Sequence, residues 1–217
     1  MTLHLSHPQK MPVPSFDLDP QDSGCADRCS YWGDGVCYVK NNPNENYPSR
    51  KNILKRNLKL IKSPDFVRVL TKEIRQTRVN DFRFFSAGDI PDFESMLKVI
   101  KVCQNLPRVR FWVSTSRDDF LIRFLQTEKI PLNVTLRLSA PKEGVPMPKG
   151  VIDYFAPFGV VFSESTDDPE LANCHASIDG SSCGDCDHCW DLDFKISRYF
   201  IHGKKAQKAF KKLKEKS

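Results

Sequence analysis

Apolar residues recur along this chain at two periods, and stretches of one alternate with stretches of the other. From Ser49 to Ile61 a basic segment carries Ile53, Leu54, Leu58 and Ile61 at helical spacing. Ser63-Pro64-Asp65 then supplies a cap and first turn for a second helix, whose buried stripe is Phe66, Leu70 and Ile74. From Phe82 the period shortens. FRFFS, VRFWVST, NVTLRLS and FGVVFSES read as strands, and the third and fourth are separated by a proline-rich loop from Pro141 to Pro148. Between the first three lie a helix with Phe93, Met96, Leu97, Ile100 and Cys103 on one side and another from Asp118 to about Gln126.

Such alternation predicts an α/β fold with mostly parallel strands and crossover helices. The FWV and GVVF segments are apolar at consecutive positions, which predicts strands buried on both faces. A complete eight-unit barrel needs roughly 250 residues. At 217 residues, this chain has room for a partial or irregular (β/α) barrel. The expected organisation is an irregular arm over 1–24, which holds four prolines and no period, an α/β domain over 25–203, and a lysine-rich tail over 204–217.

Composition narrows the class. The chain is 40% hydrophobic and 28% charged, with a net charge of +6, and no apolar run approaches the ~18 residues that span a bilayer. This excludes a helical membrane protein. The opening MTLHLSHPQKMPVPSF lacks a basic segment followed by an apolar core, so a cytoplasmic location is expected, that of the host cell if the gene is carried by a phage. Seven lysines fall between Lys204 and Lys216, where Ala206, Ala209, Phe210 and Leu213 keep helical spacing. A basic helix at the C-terminus is predicted. It is either a solvated end or a sequence-independent contact for nucleic acid phosphates.

Cysteine spacing carries the chemistry. Seven of the eight cysteines lie in two groups, Cys25, Cys29 and Cys37 near the start and Cys174, Cys183, Cys186 and Cys189 late. In a reducing compartment, clustered thiols are metal ligands more often than disulfides. Two-residue gaps such as C-GD-C-DH-C suit a tetrahedral zinc or the corners of an iron-sulfur cluster; zinc usually takes two separated pairs, so the overlapping triple favours iron and sulfur. Four thiolates close a cluster, whereas three leave a position for another ligand. His175 and His188 lie among the late cysteines and read as loop residues, with a mixed zinc site as the alternative. Cys103 reads as packing. Trp190 reads either as a shield for the late cluster or as core.

The strands end in small polar residues: Ser86-Ala87-Gly88-Asp89, Ser114-Thr115-Ser116-Arg117, Arg137-Leu138-Ser139 and Ser163-Glu164-Ser165. Parallel α/β proteins bind ligands outside the carboxyl ends of their strands. Ser86, Gly88, Asp89, Ser114, Thr115, Arg137 and Ser139 are therefore candidates for holding a small-molecule cofactor. The competing reading is ordinary capping of strand-to-helix turns.

The segments Cys37-Tyr38, RFFSAGDIPD, RFWVSTSR and CGDCDHCWD resemble, in short islands between Cys25 and His202, the phage gene product 88 family, whose members look like divergent radical S-adenosylmethionine (SAM) proteins. The resemblance implies a partial barrel with an iron-sulfur cluster at its mouth. It implies that Cys25, Cys29 and Cys37 hold a four-iron cluster with one iron open to S-adenosylmethionine, that Asp89 holds the ligand's amine, and that the late cysteines bind an auxiliary cluster. SYWGDGV separates Cys29 from Cys37 where the usual motif has two residues. His202 carries no assigned role and is expected at a helix end.

Overall fold

A computed structural model describes residues 3–215 apart from 9, 12, 43–46 and 202. Six strands form one sheet: β1 (Ser15–Phe16), β2 (Asp81–Phe84), β3 (Arg110–Thr115), β4 (Val134–Ser139), β5 (Val161–Thr166) and β6 (Ile196–Phe200). They lie in sequential order and every neighbouring pair is parallel. β1 and β6 are the two edges of this open sheet, so the six strands do not close a barrel.

The long helices are α4 (Pro48–Lys62), α5 (Phe66–Thr77), α6 (Phe93–Gln104) and α7 (Asp118–Leu125), with a shorter α8 (Lys149–Phe155). Three one-turn helices, α1 (Cys25–Arg28), α2 (Ser30–Gly33) and α3 (Tyr38–Asn41), follow β1; α9 (His175–Ile178) precedes β6 and α10 (Lys204–Lys214) follows it. No described helix is long and apolar enough to cross a membrane.

The strands read from sequence are β2 to β5, and their registers explain the core. Phe82 pairs with Phe111, Phe111 with Val134, and Leu138 with Phe162, so side chains of one parity share a face. That face packs in a single cluster with Leu60 and Ile61 of α4, Phe66 and Leu70 of α5, Met96 of α6, Leu121 of α7 and Phe155 of α8. FWV and GVVF are buried on both faces as expected, since Trp112 and Val161 of the opposite parity are covered too. Elsewhere that parity presents Ser15, Arg83, Ser114, Thr135, Arg137, Ser139, Ser163 and Ser197.

Other local expectations shift for similar reasons. Leu97 is 40% exposed, because α6 turns Met96, Val99, Ile100 and Cys103 inward instead. Asp65 stands at the start of α5 without a side-chain cap and pairs with Arg68 at 3.0 Å. The N-terminal stretch expected to be irregular supplies β1, with Phe16 and Leu18 fully buried. At the other end, the sequence pattern had placed a helix end near His202. β6 stands just before it, and His202 itself lies outside the described residues.

Candidate functional site

The carboxyl ends of the strands are organised by two buried carboxylates. Asp17, directly after β1, accepts through Oδ1 from the Ser15 hydroxyl at 2.6 Å and from both the backbone N–H and hydroxyl of Ser86 at 2.7 Å. Its Oδ2 accepts from Arg50 of α4 at 2.9 Å. Burial opposes ionisation, but bonds from Ser15, Ser6 and Ser86 together with the Arg50 guanidinium outweigh it and hold the carboxyl below its ordinary range. Nothing in the sequence pattern distinguished Asp17.

Asp89 is the second. Its Oδ1 accepts from the Thr115 hydroxyl at 2.6 Å and the Ile90 N–H at 2.7 Å, and its Oδ2 from the Ser116 N–H at 2.8 Å and hydroxyl at 2.6 Å. Burial nonetheless pushes this carboxyl up, against the lowering effect of the Ser116 and Thr115 donors. With four donors already in place, Asp89 fastens the turn after β2 to the end of β3. Thr115 is thereby committed as well, since it also accepts from the Arg117 N–H at 3.0 Å.

The turn between these carboxylates is tightly built. Phe85 adopts φ of 64°, an unfavourable conformation for an aromatic residue, and this lets the consecutive Phe84 and Phe85 both enter the helix-side core, with ring centroids 5.7 Å apart. Ser86 is then free to face Asp17. Gly88, at φ of 78°, is approached by the chain itself: a Cβ there would stand 2.6 Å from the carbonyl oxygen of Leu18.

The remaining sequence candidates fall on the polar face. Ser114 and Ser139 hydroxyls are 3.4 Å apart and Ser163 donates to Ser139 at 3.2 Å, forming a hydroxyl row across β3, β4 and β5. Arg137 is fully buried within β4. Its guanidinium donates to the carbonyls of Phe162 at 2.7 Å and His188 at 3.3 Å, tying the late cysteine loop to the sheet.

The early cysteines lie on α1 to α3, which cross the strand ends as a lid. Cys25 opens α1, Cys29 joins α1 to α2, and Cys37 precedes α3. The SYWGDGV segment is what anchors them. Ser30 donates to Glu143 at 2.6 Å, Tyr31 and Ser165 hydroxyls are 3.0 Å apart, and the Ser23 hydroxyl accepts from the Asp89 N–H at 3.4 Å. These bonds bring the lid to the loop after β4, to β5 and to the turn after β2. Cys25 hydrogen-bonds Cys29, which holds the Cys29 thiol down at about 7 while Cys25 itself is pushed up; Asp89 and Cys37 also raise Cys25. Ser23, two residues before Cys25, brings the start of α1 to the Asp89 turn.

α10 supports this lid from behind. Its Ala206 and Phe210 are buried with Val36 and Ile201, and Tyr31, Ala209 and Leu213 pack around them. Phe210 also closes on the loop after β4, where a Cβ on Gly144 would meet its ring at 2.3 Å. Phe210→Ala should cost about 3 to 5 kcal/mol where the lid folds as one unit with the body. Limited proteolysis should then cut first between Cys29 and Cys37; unchanged protection there would separate the helix from the lid.

Of the late cysteines, Cys183 and Cys189 pack with Trp112 on the polar face, while Cys174 stands beside Arg198 of β6. The Cys183 N–H donates to the Lys10 carbonyl at 2.7 Å, and Asp187 pairs with Arg110 at 2.9 Å. Trp190 is core and cysteine neighbour at once: it packs on Trp112 and Met11 together with Cys183 and Cys189, and its N–H reaches the Phe82 carbonyl at 3.4 Å. Cys183 is raised by burial and by Cys174 and Cys186. Burial raises Cys189 to about 11 although Arg137 and Arg83 pull it down. His188 stacks on Phe194 at 4.4 Å between ring centroids.

None of the eight cysteines is in a disulfide. Among the described residues, no three His, Cys, Asp or Glu side chains are drawn together closely enough to grip one metal ion.

No curated protein and no solved structure matches this chain. A family model described as gene product 88 matches residues 6–216, taking in the N-terminal arm and the lysine helix that the shorter sequence islands left outside. With almost its whole length inside that match, the chain belongs to the gene product 88 family.

Proposed function

We propose that this is an iron-sulfur protein of radical SAM-like type. Cys25, Cys29 and Cys37 would hold a four-iron cluster with one open position at the strand ends, and Cys174, Cys183, Cys186 and Cys189 a second, closed one. The observation that carries this reading is the placement of the early cysteines on a lid whose Ser23, Ser30 and Tyr31 bond the turn after β2, the loop after β4 and β5.

A cluster bound through three thiolates supplies an open iron that chelates a small ligand such as S-adenosylmethionine and passes it an electron. The chain's residues do the rest. Ser86, Gly88 and Asp89 form the turn beneath the lid, Thr115 fastens that turn through Asp89, and Ser114 and Ser139 continue the polar face beside it. Because both Asp89 oxygens are occupied, Asp89 acts by bracing that turn and by its charge; an incoming ammonium would have to replace one of its donors.

A second reading, a zinc-stabilised module that contacts nucleic acid, draws on the lysines that α10 turns outward while burying Ala206 and Phe210. One measurement separates the two. Protein prepared without oxygen should be brown and contain iron and acid-labile sulfide. Cys25→Ser should lose the iron of one cluster and remain folded. Cys186→Ser should also lower the melting temperature, because metal binding to such loops contributes on the order of 10 kcal/mol to their ordering. Colourless protein holding only zinc would overturn the iron-sulfur reading and leave the second.

A further inference from the structure

α4 holds six cations, Arg50, Lys51, Lys55, Arg56, Lys59 and Lys62, and no carboxylate, an excess equal to the +6 of the whole chain. Its Leu54, Asn57, Leu60 and Ile61 are buried, and the last two join the core against the sheet. Lys51, Lys55, Lys59 and Lys62 recur at four-, four- and three-residue spacing, which aligns them in one stripe about 16 Å long on another side of the helix. Lys55, Lys59 and Lys62 are exposed and Lys51 is half-buried. Among the described residues, one of the four has a carboxylate partner: Lys55 stands 4.0 Å from Asp22. Like charges at this spacing repel by about 0.2 to 0.5 kcal/mol per pair, so the stripe opposes the helix until an anion answers it.

At its amino end the stripe meets a cleft between α4, the lid and the loop after β1, lined by Asp19, Gln21, Trp32, Lys40, Lys51 and Leu54. Its volume of about 110 Å³ is well below the ~300 Å³ of sites that enclose a drug-sized ligand, so it suits one ring of a longer molecule. Trp32 is half-buried there; Lys40 donates to its carbonyl at 2.8 Å and holds its Nζ 5.3 Å from the indole centroid. Asp19, whose Oδ1 accepts from the Gln21 N–H at 2.9 Å, sets a carboxylate among these cations that can accept from an amino group. Tyr47 caps α4, its carbonyl accepting from the Lys51 N–H at 3.0 Å, and is 59% exposed.

We infer that α4 and this cleft bind single-stranded nucleic acid, Lys51, Lys55, Lys59 and Lys62 following the phosphates while Trp32 and Tyr47 stack on bases. A line of cations with aromatic rings at one end suits an unpaired strand, whose bases are free to leave the stack and meet a π-face. A duplex keeps its bases stacked and has no ring to place in the cleft. An anionic membrane would also answer the lysines, but an interfacial helix inserts its apolar face into lipid, and that of α4 is already in the core. The inference does not draw on the metal reading, and it puts the contact on α4, whereas the second reading above puts it on α10.

The test uses the full-length chain, purified without oxygen, and a fluorescently labelled oligothymidylate of about 15 nucleotides. The parent should bind it with an affinity that falls as salt rises from about 50 to 200 mM. Combining Lys51→Gln, Lys55→Gln, Lys59→Gln and Lys62→Gln should lower the log–log salt slope by about 3, at about 0.7 per phosphate contact, with melting temperature and metal content unchanged. Tyr47→Ala and Trp32→Ala should each weaken binding about tenfold and leave the slope as it was. Should Trp32→Ala loosen the lid, Tyr47→Ala decides alone. Because Trp112 and Trp190 are buried, quenching of indole fluorescence by the bound strand reports Trp32. A slope lowered by glutamines at Lys205, Lys208, Lys211 and Lys212 of α10, but not by those on α4, overturns the inference and assigns the contact to the tail helix. It is equally overturned by a duplex of the same length bound as tightly as the single strand, by uptake on phosphatidylserine vesicles without binding of the oligonucleotide, or by no binding at the lowest salt.

Discussion

Asp17→Ala is expected to destabilise the protein by about 3 to 5 kcal/mol, the cost of removing one member of a buried ion pair and stranding its partners. The variant would leave Arg50 without its carboxylate and would remove the acceptor for the Ser15 hydroxyl and for both donors of Ser86. β1 pairs with β2 over only two residues, so the side-chain network must hold that edge. Chemical denaturation measures the loss, and a change below about 1 kcal/mol would show that the network is dispensable.

The pH dependence follows from the sign of each shift. Asp17 is lowered in the folded state, so its contribution is present above the ordinary carboxyl value near about 3.9 and is lost as pH falls through the folded value. Asp89 is raised, so its contribution is present below about 3.9 and is lost as pH rises through its folded value. Asp17→Asn should therefore flatten the acid limb of the stability curve. An acid limb as steep as that of the parent protein would assign acid sensitivity to other carboxylates.

Gly88→Ala should cost about 3 kcal/mol or more. A φ of 78° is unfavourable by about 1 to 3 kcal/mol for a residue with a Cβ. The added carbon would also stand 2.6 Å from the Leu18 oxygen and 2.8 Å from its Cβ. Leu18 cannot yield readily, since it is fully buried and its N–H donates to the Ala87 carbonyl at 3.0 Å. Gly150→Ala is the control: nothing lies within 4 Å of a Cβ there, and the same change inside α8 should be neutral or stabilise by about 0.5 to 1 kcal/mol. Equal melting temperatures for the two variants would remove the steric account of the turn.

The sequence showed β2 to β5 and α4 to α7 because each carries a local apolar period that survives without knowledge of its neighbours. β1 was hidden by its two-residue length and by the prolines around it. α8 follows a proline-rich stretch and contains a glycine, and β6 mixes Ser197, Arg198 and Tyr199 into a short edge strand. The two thiol groups were legible from ligand spacing, and the strand-end residues from their place after apolar runs.

Their partners were not. Asp17 meets Ser86 across 69 positions, Ser30 meets Glu143 across 113, and Arg137 reaches His188 across 51. No local pattern encodes such pairs. Arg137 read as a strand-end ligand because Arg137-Leu138-Ser139 closes an apolar run, whereas parity turns it into the polar interior and its donors go to carbonyls. Asp89 likewise read as an open acceptor until four donors converged on it. Short-range order alone thus determined the strand and helix periods and the grouping of the cysteines, since both depend only on residues a few positions apart. Which face became polar, which acids were saturated and which carbonyls Arg137 reaches was decided by strand register and by the folding of distant loops onto one sheet, where burial makes every unmatched charge costly.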